Sequence, residues 1–130
     1  MRLTKRLGII TSSTLISAGA LLAASAAPAT AATPVFCNGH YLCVEEVGQS
    51  IDTMYIDMWP PTDSFKGHFQ LQTPEGTSTS SGNRTNLPGS GNEVTLTVPV
   101  VYGKYCATAW KWNGGSSYTK LGYLCFTAGA

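Results

Sequence analysis

The stretch YCATAWKWNGGSSYTKLGYLC, residues 105–125, predicts a β-hairpin and points to an all-β fold. Small and aromatic residues lie on both sides of an Asn-Gly-Gly-Ser sequence, which is typical of a turn between two strands. A type II′ turn with Gly115 and Ser116 at its centre suits the twist of paired strands. Opposed residue numbers then sum to 231 (115 + 116). This register places Cys106 opposite Cys125 and predicts a disulfide between them.

The same register predicts which other residues of the hairpin oppose each other. Trp112 is expected opposite Thr119, and Trp110 opposite Leu121. Because side chains alternate along a strand, both tryptophans share one bulky, uncharged face. On the other face the two lysines of the hairpin are expected to oppose each other: Lys111 and Lys120.

Either face of the hairpin could be the buried one. In the preferred interpretation the tryptophan face is core, where each aromatic side chain can bury about 150–250 Å². In the other, the core side carries Tyr105, Ala107, Ala109, Leu124 and Phe126. The remaining aromatic strip would then be exposed and would mark a partner site. An intermediate arrangement buries Trp110 and exposes Trp112. The strip consists of Trp110, Trp112 and Tyr123.

The pattern Tyr105-x-Ala107-x-Ala109, followed by Asn-Gly-Gly, resembles the penultimate strand and turn of fibronectin or immunoglobulin type sandwiches. The resemblance implies that Tyr105 and the alanines face inward. In antibody domains the corner tyrosine stands two residues before the cysteine, whereas here Tyr105 is adjacent to Cys106.

The rest of the chain after residue 32 shows short strand patterns separated by turn signals. The predicted strands cover residues 41–47, 51–59, 68–73, 93–100, 105–112 and 118–126. Six short strands of this kind predict a small antiparallel β-sandwich of the immunoglobulin or fibronectin kind. Residues 74–92 are rich in Gly, Ser, Thr, Asn and Pro, and they predict a long, mobile loop.

The first 31 residues predict a secretory signal peptide. Three basic residues come first, residues 7–24 are apolar or small, and residues 29–31 form an Ala-x-Ala cleavage pattern. A membrane anchor is the alternative, but hydroxyl residues interrupt the apolar run. Cleavage leaves residues 32–130 as one domain of 99 residues (130 − 31). The leader resembles those of streptomycete-type secreted proteins, which implies a bacterial extracellular location.

All four cysteines of the chain lie in the predicted mature part. An even number in a small exported chain predicts two disulfides, and we expect the pairs Cys37–Cys43 and Cys106–Cys125. Zinc is the competing interpretation, but the C-x5-C and C-x18-C spacings do not match paired zinc knuckles. No metal and no other cofactor is predicted.

The charges of the predicted mature chain indicate no polyanion-binding stretch. Five basic residues against seven acidic residues give a net charge of −2. The basic residues are scattered along the sequence, so nucleic acid is not an expected partner. No amphipathic helix or polybasic run predicts membrane binding. The five bases are Lys66, Arg84, Lys104, Lys111 and Lys120.

The sequence contains no catalytic motif, and we do not expect an enzyme. We expect a secreted, non-catalytic binding protein that acts through the aromatic hairpin. Trp112 and Lys111 are the central candidate residues, Trp110 supports them, and Tyr118 and Trp59 complete the set. The preferred partner is an extracellular protein, and a carbohydrate is the other candidate.

Two further functions are alternatives. The stretch CNGHYLCV, residues 37–44, resembles the C-P-x-G-x-x-C-[LV] opening of crystallin-like bacterial metalloprotease inhibitors. This chain lacks the proline of that motif. The resemblance implies a secreted protease inhibitor and assigns no residue a role. The third candidate function is an adaptor subunit of an extracellular, toxin-like assembly, which suits a small, charge-poor domain with sheet edges.

Overall fold

The computed structural model describes residues 33–129, and all of its regular structure there is β. The signal peptide predicted at residues 1–31 lies outside the described residues. The described part contains no helix long and apolar enough to span a membrane. Residues 33–129 contain nine strands: β1 Val35–Asn38, β2 Leu42–Gln49, β3 Thr53–Trp59, β4 Phe65–Gln72, β5 Ser78–Ser80, β6 Arg84–Asn86, β7 Val94–Pro99, β8 Gly103–Gly114 and β9 Ser117–Ala128.

These strands form two antiparallel sheets that pack face to face, which confirms the predicted β-sandwich. Sheet A has the order β1-β2-β3-β7. Sheet B has the order β9-β8-β4, and the short strands β5 and β6 both pair with the other edge of β4.

The core lies between the sheets and follows the two-residue period of the strands. On β3, Met54, Ile56 and Met58 are fully buried, while the residues between them face outward. On β4, Phe69 and Leu71 point in from the opposite sheet. Strict alternation of this kind is what packs one face of each sheet against the other.

The hairpin buries its tyrosine and alanine side, so the preferred interpretation of a tryptophan core is wrong. Tyr105, Ala107 and Ala109 are 0% exposed. The small alanines of β8 leave room for the large side chains that β3 and β4 send into the core. Bulky indoles at the same positions would need a wider gap between the sheets.

Tyr105 faces inward, as the fibronectin resemblance implies, and its hydroxyl bonds to the loop before β8. Its hydroxyl donates a hydrogen bond to the carbonyl oxygen of Val101 at 2.5 Å and accepts one from the Val101 N–H at 3.4 Å. Burial raises the pKa of this hydroxyl above its ordinary value. The bond ties the start of β8 to the loop before it, even though Cys106 is adjacent to Tyr105.

The predicted hairpin register is correct near the disulfide and again at the Gly114–Ser117 pair beside the turn, and it is shifted by one residue in the stretch between them. Cys106 opposes Cys125 and Thr108 opposes Tyr123, but the pairing shifts by one residue between Lys120 and Gly122. Leu121 is the extra residue of this β-bulge, and it packs against the core.

Beyond the bulge, three predicted pairs are therefore wrong. Trp110 opposes Lys120, Trp112 opposes Tyr118, and Lys111 opposes Thr119. The expected clash between two opposed lysines does not occur, because the bulge moves Lys120 to the tryptophan side.

Both predicted disulfides are present. Cys37 and Cys43 are direct partners in the β1–β2 pair, and Cys106 and Cys125 are direct partners in the β8–β9 pair. Each pair of Cα atoms is 4.0 Å apart. Each disulfide therefore joins two neighbouring strands of one sheet.

Residues 74–92 are not the unstructured loop that their composition predicts. They contain β5 and β6, which pair with β4 through Leu71–Thr79 and Lys66–Thr85 among others. These strands have only three residues each and carry polar side chains, so they show no apolar period in the sequence.

We predict that removing the hairpin disulfide, with Cys106→Ala and Cys125→Ala together, lowers the free energy of unfolding by about 3 kcal/mol. The bond joins residues that are 19 apart in sequence. A disulfide across a loop of this length destabilises the unfolded chain by about 3 kcal/mol through lost entropy, and removing the bond restores that entropy. Guanidinium unfolding of both proteins measures the difference. A loss below about 1 kcal/mol would contradict the prediction.

A second prediction concerns the Tyr105 hydroxyl. Tyr105→Phe should cost about 1–2 kcal/mol, because the Val101 carbonyl loses its partner inside the protein. Urea unfolding measures this loss. The matched control is Tyr102→Phe, since Tyr102 is 68% exposed and should tolerate the change.

The same hydroxyl also predicts a pH dependence. Because burial raises the pKa of folded Tyr105 above 10.0, the unfolded chain loses this proton first as the pH rises. The contribution to stability is complete below pH 10.0 and is lost as the pH rises through the folded pKa. Urea midpoints from about pH 9 to about pH 11 should therefore fall more steeply for the wild type than for Tyr105→Phe. Parallel curves would contradict this assignment.

Candidate functional site on the outer face of sheet B

The predicted hairpin aromatics lie on the outer face of sheet B, which we call the aromatic face. It is built from the outward positions of β4, β8 and β9, the three longest strands of the sheet. Register places the side chains in three rows across the strands: Gln72–Cys106–Cys125, Gln70–Thr108–Tyr123 and His68–Trp110–Lys120. Nearer the tip Trp112 opposes Tyr118, and Lys66 lines a cleft together with Trp112.

Trp110 lies at the centre of the aromatic face and is half-buried. Its indole N–H donates a hydrogen bond of 2.8 Å to the Gln70 side-chain oxygen. Gln70 stands on the neighbouring strand β4, so this bond holds the indole across the sheet. A fixed ring of this kind loses little side-chain freedom when a ligand binds.

Trp112 lies nearer the hairpin tip and is 39% exposed. Its indole N–H donates to the Gly115 carbonyl oxygen at 2.9 Å, so the ring is held against its own turn. Tyr118 is its cross-strand partner and is half-buried. The three ring residues predicted at the tip, Trp110, Trp112 and Tyr118, are therefore neighbours on one surface.

A polar network fixes Tyr118 in place. The Asn83 amide donates to the Tyr118 hydroxyl at 2.8 Å, and its oxygen lies 3.0 Å from Nδ1 of His68. The His68 and Tyr118 rings pack edge to face at 4.9 Å. Asn83 belongs to the segment between β5 and β6, so this segment is anchored to the aromatic face.

Lys120 lies between two rings of the aromatic face. Its ammonium nitrogen is 5.0 Å from the ring centre of Tyr123 and 6.0 Å from that of Trp110. These distances are in the range of cation–π contacts. Tyr123 is 44% exposed, and its hydroxyl lies 3.3 Å from Sγ of Cys125.

Two clefts flank the aromatic face. The first, of about 180 Å³, lies beside the hairpin tip and is lined by Trp112, Lys66, Asn83 and Arg84 with adjoining backbone. The second, of about 420 Å³, lies at the disulfide end of the sheet. Each cleft contains an aromatic ring and at least one basic side chain. The second cleft is lined by Gln72, Thr73, Pro74, Gly76, Lys104, Cys106 and Tyr123.

Two residues that the sequence analysis did not select position this face. A Cβ at Gly67 would lie 1.8 Å from the carbonyl oxygen of Trp110, so only glycine lets β4 approach β8 there. Asn86 is fully buried, and its amide donates to the carbonyl oxygens of Gly67 at 3.1 Å and Arg84 at 3.3 Å. Neither stands in a recognisable pattern, since each role depends on a strand distant in sequence.

The charges are divided between the two sheets, although the bases are scattered along the sequence. All five lysine and arginine residues of the described part lie in strands of sheet B, and those strands contain no acid. The strands of sheet A contain no base and three acids. Between residues 33 and 129 the only side chains within salt-bridge distance are His40 and Asp63, whose Nδ1 and Oδ2 atoms lie 3.1 Å apart. The three acids are Glu45, Glu46 and Asp57.

Two of the sequence-predicted site residues lie apart from the aromatic face. Lys111 alternates with Trp110 and Trp112, so it belongs to the opposite side of the hairpin. Trp59 lies on β3 of sheet A, where it opposes Cys43. The structure instead adds Lys120 and His68 to the predicted rings of Trp110, Trp112, Tyr118 and Tyr123.

The aromatic face offers rings, ammonium groups and amides, which are groups suited to reversible binding. Within residues 33–129, no three His, Cys, Asp or Glu side chains are grouped as metal ligands. The rings supply apolar contact area with a defined geometry, and the polar groups supply direction.

We predict that Gly67→Ala disrupts the aromatic face. The added Cβ forces β4 away from β8 at Trp110, which should lower the free energy of unfolding by about 2 kcal/mol or more. Urea unfolding and the near-ultraviolet circular dichroism of the tryptophans report the change. Gly82→Ala is the matched control, since its Cβ meets nothing within 4 Å. Equal effects of the two substitutions would contradict the close approach.

Comparison of the chain with protein-family models, with curated proteins and with solved structures finds no match. Inference about function therefore rests on the aromatic face and on the charges around it.

Proposed function

We propose that the chain is an exported, non-catalytic binding protein and that the aromatic face is its binding surface. The observation that carries the proposal is the orientation of β8. Ala107 and Ala109 fill the core, while Trp110 and Trp112 of the same strand point to solvent. Exposed ring area costs about 25 cal/mol per Å², and a partner that covers the rings recovers this free energy.

The hydrogen bonds around the rings support the same function. Trp110 is held by Gln70, Trp112 by the turn, and Tyr118 by Asn83. A surface fixed in this way loses little conformational entropy on binding.

The partner is an extracellular protein or carbohydrate. Two cross-strand disulfides suit an oxidising location outside the cytoplasm, and the leader pattern of residues 1–31 suits export. Export and the partner's class are both part of the proposal.

The test of this proposal is Trp112→Ala. We expect binding to weaken by about 2 kcal/mol or more, because a ring at the centre of a binding surface is a typical hot spot. We expect little change in melting temperature, since Trp112 is already 39% exposed. The tagged wild-type protein captures its partner from the medium and surface extract of the producing cells. Titration with that partner then gives the affinities of the wild type and of Trp112→Ala.

Tyr55→Ala is the matched control for this test. Tyr55 is 37% exposed and points outward from sheet A. The substitution therefore removes a ring of similar exposure from the opposite side of the protein. Binding should be unchanged. Equal loss of binding in both variants contradicts the proposal, as does a stability loss of about 3–5 kcal/mol in Trp112→Ala, which is typical of a core residue.

A further inference from the structure

We infer that the ligand of the aromatic face is an acidic polysaccharide that lies along β8 from one flanking cleft to the other. The inference rests on the proposed function and names the partner's chemical class. Three features of the surface carry it: the kinds of side chain it presents, the charges it lacks, and the distance between its clefts.

The side chains of the aromatic face favour a sugar polymer over a protein. No aliphatic side chain points outward from β4, β8 or β9, because Leu121 at the bulge packs against the core. The cores of protein–protein interfaces are apolar and depleted in lysine, whereas lysines stand among the rings here. Flat rings beside amide groups match the two kinds of surface on a sugar ring, its apolar C–H face and its hydroxyl rim. The outward amides are Gln70, Gln72 and Asn83.

The charges around the face favour an acidic ligand. Lys66, Lys104 and Lys120 occupy outward positions of sheet B, and no strand of this sheet carries an acid. None of the three makes an ion pair within residues 33–129. Unpaired bases on one face create a positive local potential although the predicted mature chain has a net charge of −2. Carboxylate or sulfate groups on a polymer complement that potential.

The distance between the clefts favours an extended chain. Trp112 lines the first cleft and Cys106 the second, and the two residues are six positions apart on β8. At about 3.3 Å per residue they lie about 20 Å apart, too far for one sugar to contact both. Trp110 lies between the clefts and Tyr123 lines the second, so a polymer that follows β8 from Trp112 meets a ring in the middle of its path and another at its end.

Lys120 is the charged residue assigned to the middle of this path. The bulge at Leu121 places its ammonium group between the rings of Trp110 and Tyr123. A ligand stacked on these rings brings an acidic substituent close to that charge. Lys111 carries the same charge on the same hairpin but on its opposite side, which makes it a matched control.

The experiment measures binding of the full mature chain to polymers that separate charge from sugar. Polygalacturonate is compared with its fully methyl-esterified form, and dextran sulfate with dextran. Polyglutamate supplies carboxylates without sugar rings, and oligo-dT supplies charge with stacking bases. We expect at least one acidic polysaccharide to bind about tenfold or more tightly than its neutral form and than the other two polymers, with affinity that falls as salt rises.

Two lysine variants then locate the ligand. Lys120→Gln should weaken binding of the acidic polysaccharide by about tenfold, and Lys111→Gln by less than about twofold. Equal losses overturn the inference, as do absent binding of both acidic polysaccharides and equal or tighter binding of polyglutamate or oligo-dT.

Failure of this inference differs from failure of the proposed function. If no polysaccharide binds but Trp112→Ala abolishes capture of a protein from the medium, the aromatic face is a protein-binding surface. If Trp112→Ala changes the binding of neither kind of partner, the proposed function itself is wrong.

Discussion

The pairing of β8 with strands on both sides is the constraint on which sheet B depends. β4 and β9 flank it over most of its length, so its side chains have no freedom to rotate from one face to the other. Once Ala107 and Ala109 lie in the core, Trp110 and Trp112 must point outward. Tyr105 strengthens this choice, because its buried hydroxyl bond to Val101 fixes the start of the strand.

Six of the nine strands of residues 33–129 could be predicted from sequence because they show local alternation, and the same alternation predicts the Cys106–Cys125 disulfide. The Cys37–Cys43 disulfide follows instead from the even number of cysteines and their close spacing. The period of two also separates the two faces of the hairpin correctly up to the bulge. It does not say which face is buried, since both carry aromatic or apolar residues. That choice depends on the space between the sheets, where large residues such as Met54 and Phe69 already fill the gap and favour alanines opposite them.

Other features depend on competition between distant elements. The bulge forms because burial of Leu121 against the core outweighs a regular register, and the turn at Gly115 is kept. The strands β5 and β6 form because β4 offers them a free edge, although their own residues are polar. Gly67 matters only because Trp110 of another strand comes close to it. No window of sequence contains both partners of any of these contacts.

Charge shows most clearly why composition alone describes a binding surface poorly. The predicted mature chain has two more acids than bases, which argues against an acidic ligand if only the total is considered. In the fold, every lysine and arginine of residues 33–129 lies in a strand of sheet B, and all acids that lie in strands are on sheet A. Salt screens charges beyond about 8–10 Å, so a ligand on one sheet responds mainly to the charges of that sheet. The strands of sheet B therefore carry five bases and no acid, although the predicted mature chain has a net charge of −2.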